Sequence, residues 1–354
     1  MTDRQLKYFQ AIHEATDQAL DADENVLLLG LGVPGPTGIF GTTTGLQQKH
    51  GAARVIDMPS SENAMTGVAL GAATRGKRPI MVHMRVDFAV LSLEPIVNQA
   101  AKWHYMYGGR MRAPLVIRMI IGRGWGQGPQ HSQSLQAWFA HVPGLKVVMP
   151  SRPYDAKGML MAAVQDDAPV IILEHRWLYN LSGPVPEAPF TAPLDGAAVL
   201  REGMDVTLAA CSYMTIEAMK AADTLAGMGI SAEVIDLRSV APIDTASLNA
   251  SIAKTGRLVV ADTGHAECGV SAEVIAAVTE TGFGNLRAGP RRVALPPVPS
   301  PTTPALADLY FPGARDIAQE ALRTMGRDEV VAEEPLPEGR RWRDTPDPSF
   351  TGPY

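Results

Sequence analysis

The chain contains 354 residues, well beyond the ~100–200 of one domain, so two domains are expected and a single small module is excluded. Hydrophobic residues at 46% and charged residues at 19% describe a folded protein, and 31 Lys+Arg against 37 Asp+Glu, a net charge of −6, leave no basic footprint for nucleic acid. Cys211 and Cys268 lack metal-finger spacing, and neither an apolar leader after Met1 nor a run of ~18 apolar residues occurs, so a reduced cytoplasmic compartment and no membrane partner are expected.

Leu6, Phe9, Ile12 and Ala19 fall at helical spacing and predict a helix over 3–21. Asn25 to Gly30 is a short apolar run stopped by glycine, the pattern of a parallel strand covered on both faces. The alternation continues with a strand at 54–57, a helix at 62–75, a strand at 79–82, a helix at 91–105 and a strand at 114–120. After a glycine-rich loop at 122–129 come a helix from about 132, a strand at 145–149, a helix at 154–164 and a strand at 169–173. Strands alternating with helices predict an α/β domain with a parallel sheet over 1–183.

Four prolines and little periodicity mark 184–203 as a linker. A second, smaller α/β domain is expected at 204–326, with strands at 206–210, 232–237 and 257–261 and helices at 214–228 and 271–281. The proline cluster at 295–304 suits only an extended crossing. The charged, proline-rich tail 327–354 reads as a segment that wraps a neighbour or stays loose.

Two segments carry candidate chemistry. Met58-Pro-Ser-Ser-Glu-Asn-Ala-Met-Thr-Gly-Val-Ala-Leu-Gly-Ala-Ala73 places Glu62 at the opening of a helix otherwise nearly free of polar groups. Glu62 either complements the helix dipole beside a Ser60 or Ser61 cap, or is a desolvated carboxyl of raised pKa that shares a proton. Gly122-Arg-Gly-Trp-Gly-Gln-Gly-Pro-Gln-His-Ser-Gln-Ser134 ends a glycine-rich loop with His131, either a structural histidine or a group that binds an anion or moves a proton.

With Ser61-Glu62, Val97-Asn-Gln-Ala-Ala-Lys102, Tyr105-Met-Tyr-Gly-Gly109, Gln130-His-Ser-Gln-Ser134, Pro143-Gly-Leu-Lys-Val-Val148, Tyr154-Asp-Ala-Lys-Gly158, Ile235-Asp-Leu-Arg238 and Lys254-Thr-Gly-Arg-Leu-Val-Val260, the chain resembles a known family. It is similar, from about residue 4 to 325, to the β subunit of the thiamine-diphosphate-dependent component of 2-oxoacid dehydrogenase complexes. The resemblance implies a transketolase-like pyrimidine-binding domain followed by a transketolase C-terminal domain. It implies that Glu62 hydrogen-bonds the aminopyrimidine of thiamine diphosphate, with Phe88 stacking on that ring and Met84 and Ser60 beside it. His131 would face the substrate carboxylate or the acyl group on its way to lipoamide. A potassium site is implied at Leu115, Ala163, Val164, Asp166 and Ala168, through backbone carbonyls and one carboxylate.

The Gly-Asp-Gly…Asn signature that holds Mg²⁺ and the diphosphate is absent from the sequence. The resemblance therefore implies an α subunit that carries it, in an α2β2 assembly, and a lipoyl acyltransferase as further partner. Three positions depart from the pattern or mark selectivity. Leu31 stands where an acid is usual, which puts coupling between two active sites in doubt. Arg85, near His83, suggests selection of an anionic or hydroxylated substrate, with a surface salt bridge as the alternative, and Trp125 either narrows the entrance or anchors packing. The expected activity is oxidative decarboxylation of a 2-oxoacid with acyl transfer. Half of a split transketolase and a non-catalytic, regulatory β-like subunit are the alternatives.

Overall fold

The computed structural model describes residues 4–123 and 126–328. Trp125 and nearly all of the predicted tail lie outside the described residues. Contacts divide the chain into two units, one reaching to Ile121 and including Trp138–Leu194, the other made of Gly122–Ala137 and the residues from Asp195 onward. The glycine-rich loop, expected inside the first domain, thus groups with the second unit, where its side chains find their partners.

In the first unit six strands run parallel: β1 Val26–Gly30, β2 Val55–Asp57, β3 Arg78–His83, β4 Val116–Ile121, β5 Lys146–Val148 and β6 Val170–His175. Their order is β5-β6-β4-β3-β1-β2. Every residue of β4 and β6 is buried, which is why these strands read as continuous apolar runs rather than alternating ones. Gly30 pairs with Val82, and a Cβ at Gly30 would lie 2.6 Å from the Val82 carbonyl oxygen, so only glycine allows that approach.

Helices α1 (Tyr8–Ala22) and α3 (Pro153–Gln165) pack against each other, and α2 (Glu62–Thr74) lies against β3. Pro153 opens α3 at a position whose missing N–H costs nothing. The buried Lys157 Nζ reaches Glu14 Oε1 on α1 at 2.5 Å and the carbonyls of Pro186 and Glu187. The helix expected at 91–105 is instead broken into a 3-10 turn Val90–Ser92, a π-helical stretch Glu94–Ala100 and an α-helical end Ala101–Met106. Pro95 withholds an amide from this stretch, so a regular ladder cannot run through it.

The second unit has strands β7 Ala198–Arg201, β8 Val206–Ala210, β9 Ala232–Asp236, β10 Leu258–His265 and β11 Arg291–Leu295 in the order β11-β10-β8-β9-β7. All its pairs are parallel except β7 with β9. The expected linker therefore contains a strand, because Ala198–Arg201 takes the free edge of β9. Helices α4 Tyr213–Gly227, α5 Thr245–Thr255, α6 Val270–Gly282 and α7 Ala314–Thr324 complete it. Helix α5 is fixed locally: the Asp244 carboxylate accepts the Ser247 amide at 3.0 Å, and Gly256 closes the other end at φ +71°. Ile317, Ala318, Ala321 and Leu322 of α7 join the core that lies on β8 and β9. No helix among the described residues is long and apolar enough to cross a membrane.

The core of the first unit holds a charge network. Arg118 on β4 donates from Nη2 to Glu174 on β6 at 2.9 Å, and the Tyr179 hydroxyl donates to the same carboxylate at 2.6 Å; all three side chains are buried. Removing one partner leaves an uncompensated buried charge, whereas removing both leaves only packing to repair. Glu174→Gln is expected to lower stability by about 3–5 kcal/mol in urea unfolding, and the double variant Arg118→Met/Glu174→Leu by less than that single change.

His83, at the end of β3, is 2% exposed, its Nε2 lies 3.0 Å from Thr66 Oγ1 on α2, and burial pushes its pKa from 6.5 down to about 4. The unfolded chain takes up this proton near pH 6.5 and the folded chain does not until about 4, so the stabilisation is complete above pH 6.5 and lost as pH falls toward 4. Unfolding free energy should drop by about 2 kcal/mol between pH 7 and 5 from this group, and His83→Gln should flatten that part of the profile.

Candidate active site

Chain order reverses at β1, with β2 on one side and β3 on the other, and such a switch opens a crevice at the carboxyl ends of the strands. Of the predicted residues of the first unit, Leu31, Ser60, Glu62, Met84, Arg85 and Phe88 lie on the segments that leave those ends, and the potassium candidates do not. Leu31 follows β1 and is exposed. Ser60 and Glu62 follow β2, and Met84, Arg85 and Phe88 follow β3. Asp57 Oδ1 accepts the amides of Gly32 at 2.8 Å and Met58 at 3.0 Å, so the loop after β1 is fastened to the one that leads to Glu62.

Glu62 is the first residue of α2 and half-buried. Ser61 at the N-cap makes no side-chain capping bond, so the capping alternative is not the arrangement found. Among the described residues no hydrogen bond or ion pair reaches the Glu62 carboxyl. One turn on, Thr66 and neutral His83 form the floor of the helix on its buried side. An unengaged carboxyl at a helix start and a half-buried aromatic ring, Phe88, in the short helical turn Val86–Ala89 after β3 are the acceptor and flat apolar surface that an aminopyrimidine needs. These residues fit the pyrimidine half of thiamine diphosphate. The diphosphate half has no corresponding carboxylate and amide motif in the sequence.

Arg85 is buried, 2% exposed, which rules out the surface salt bridge. Burial lowers its pKa from the usual guanidinium range to about 10; Asp87 opposes the shift and Arg176 adds to it. It remains a cation at neutral pH. Arg176, also buried, lies with its guanidinium carbon 4.5 Å from the Phe40 ring centroid and 5.1 Å from that of Tyr179. Sequence reasoning missed Arg176, whose only signal is a charge directly after an apolar strand.

Four of the carbonyls named for potassium accept hydrogen bonds. Leu115 O accepts the Val170 amide at 2.9 Å and Ala163 O the Asp166 amide at 3.3 Å. Val164 O and Asp166 O both accept from Arg78 Nη1, at 2.9 and 3.1 Å, and the Asp166 carboxylate takes the Ala168 amide and Lys146. The cation at this end of α3 is a guanidinium, where the helix dipole favours positive charge. Arg78 shares two of these oxygens, and a carbonyl that accepts one hydrogen bond keeps a second lone pair, so the potassium site stands as what the resemblance implies.

In the second unit His131 is exposed and its amide donates to Gly128 O at 3.1 Å. The helix expected from 132 begins instead at Gln136, because the loop is closed by Gly122 N–H donating to Gln133 O at 3.0 Å. Gln136 is buried and reaches Asp262 within β10, two residues that sequence reasoning passed over because neither falls in a periodic pattern.

The descriptions of known families match both parts of the chain: "Transketolase, pyrimidine binding domain" over residues 4–182 and "Transketolase, C-terminal domain" over 195–317. The acetoin:2,6-dichlorophenolindophenol oxidoreductase subunit beta of Cupriavidus necator is 43% identical over 91% of this chain and 98% of its own. The pyruvate dehydrogenase E1 component subunit beta of Bacillus subtilis is 38% identical over 91% of this chain and 99% of its own. Among solved structures, a split gene transketolase described as an inactive beta4 tetramer has a TM-score of 0.73 at 25% identity, covering 91% of this chain and 99% of that one. Matches of this extent show that the chain belongs to the transketolase-like family of dehydrogenase β subunits, with a pyrimidine-binding domain followed by a transketolase C-terminal domain.

Proposed function

We propose that the chain is the β subunit of a thiamine-diphosphate-dependent 2-oxoacid dehydrogenase component, completed by an α subunit that brings the Mg²⁺ and diphosphate ligands. The observation that carries this reading is the Glu62 carboxyl, unengaged at the start of α2, on the strand-end crevice that also bears Phe88. When bound, thiamine diphosphate supplies a carbon nucleophile and an electron sink for the bond broken next to the ketone. Glu62 holds a proton at a pyrimidine ring nitrogen, and Phe88, Met84 and Ser60 hold that ring in place. Arg85, a buried cation, attracts the substrate carboxylate, since charge in a low-dielectric setting acts strongly. His131 serves the transfer of the acyl group to a lipoyl acceptor. An α2β2 assembly, a lipoyl acyltransferase partner and a cytoplasmic location complete the proposal.

The exposed face of α2 supports a subunit partner. Gly67 and Gly71 have nothing within 4 Å of an added Cβ, and Val68, Leu91, Tyr105 and Met106 of the same unit are exposed apolar side chains. Half of a split transketolase is the second reading, supported by the likeness to that solved structure.

Reconstitution with the α subunit tests both. Turnover of a 2-oxoacid with a dye as oxidant is expected, and Glu62→Gln should reduce it by roughly 10²–10⁴-fold without loss of folding. Ketol transfer between sugar phosphates in place of dye reduction would favour the transketolase reading. The β chain alone should show no tight Mg²⁺-dependent binding of thiamine diphosphate by calorimetry. Arg85→Met should raise KM for a carboxylate substrate roughly 10- to 100-fold, through loss of about 1.5–3 kcal/mol of charged hydrogen bonding, and leave neutral acetoin nearly unaffected. Equal loss with both substrates would assign Arg85 to structure.

A further inference from the structure

The loop that carries His131 is anchored at its base by a carboxylate that no family role accounts for. Asp262, 1% exposed, ends the apolar run of β10. Its Oδ1 accepts Gln136 Nε2 at 2.6 Å, the Gly264 amide at 3.0 Å and the Cys211 thiol at 3.5 Å, and its Oδ2 accepts the Ser271 amide at 3.2 Å in the first turn of α6. All four donors are neutral, so this buried carboxylate is held by hydrogen bonds, and the 2.6 Å bond from Gln136 is charge-assisted and short.

Gln136 is itself 1% exposed, and its Oε1 is buried without a hydrogen-bond partner. An orphaned amide oxygen costs about 1–3 kcal/mol, and the reversed amide would aim that oxygen at the carboxylate, so the bond to Asp262 dictates the orientation. Packing enforces it further, since a Cβ at Gly264 would lie 2.8 Å from Gln136 Nε2. At the loop's other end the Arg123 guanidinium lies 3.4 Å from the centroid of the Phe311 ring. Between these two clamps His131 is exposed, five residues before Gln136.

We propose that Asp262, acting through Gln136, is the positioning residue that fixes the His131 loop for acyl transfer. The role rests on the acyl-transfer reading of His131 and adds to it a determinant outside the loop.

Two variants test it in the full chain with its α subunit. Gln136→Met keeps length and volume but removes the donor. Gln136→Glu sets two carboxylates face to face, which restores the bond only while they share a proton. Gln136→Met should lower the lipoyl-linked rate roughly 10- to 100-fold while the dye-linked rate and KM for the 2-oxoacid stay within about 3-fold. Gln136→Glu should regain lipoyl-linked activity at acid pH and lose it as pH rises, a limb the unaltered protein lacks. In the same Gln136→Met chain, hydrogen exchange should accelerate at the amides of Gly122 and His131 but not in β8 or β10.

Lack of dye-linked turnover in the unaltered complex would overturn the reaction reading and this role with it. Normal turnover there, combined with equal losses in both assays, no new pH limb or unchanged exchange at 122–133, would overturn the positioning role alone.

Discussion

The pairing of β1 with β3 sets the first unit, because everything proposed for cofactor and substrate recognition in that unit hangs on the loops that leave these two strands and β2. Gly30 and Val82 approach too closely for any Cβ, so the register of the pair is fixed at its carboxyl end, where register matters most to the loops beyond. A slip of one residue would set a side chain where Gly30 now meets the Val82 carbonyl and would shift the segment at 84–88 along the crevice. Asp57 extends the constraint to the next loop by bonding Gly32, so the approach to Glu62 is tied to β1 as well as to β2.

Burial of charge is the second organising term. Arg118 and Glu174 neutralise each other inside the sheet, His83 is held neutral against Thr66, and Arg85 keeps its charge despite burial because Asp87 compensates the nearby Arg176. These outcomes follow from one rule: a group leaving water must be paired, discharged or kept for a ligand. Arg118 is paired and His83 is discharged. Arg85 keeps its charge beside Asp87, so the substrate role proposed above attaches to it and not to Arg118, whose carboxylate partner is Glu174.

The strands of the first sheet were legible because parallel strands covered on both faces are largely apolar runs, and Val170–Leu173, or Val116–Ile121 with its single Arg118, needs no partner information to be recognised. Helix α5 was not, since Thr245–Thr255 is a polar surface helix whose start depends on a single Asp244 cap. The strand Ala198–Arg201 was hidden by four prolines around it and by the fact that an edge strand is defined by its neighbour, β9. The break at Glu94–Ala100 needed only Pro95 to be noticed. For the site, Glu62 and His131 stood out by contrast with bare or glycine-rich surroundings. Arg176, Gln136 and Asp262 did not, because their significance is a burial and a contact that arise only when segments 126 or more residues apart in sequence meet.

Helix α2 shows how a chain long enough for two domains can still hold half a site. Gly67 and Gly71 each cost about 0.5–1 kcal/mol against alanine in a helix interior. Neither relieves a contact within the chain, since an added Cβ would meet nothing within 4 Å. Met65, Thr66, Ala69, Leu70 and Ala73 on the opposite face are buried and meet the needs of the chain's own core. The bare face therefore lowers the stability of the isolated chain with no return inside it. In the assembly proposed above, a neighbouring subunit whose backbone came close to α2 would supply that return, on the helix whose first residue is Glu62. The proposed contact and the proposed cofactor carboxyl would then share one rigid element, so assembly that orders α2 would also order Glu62.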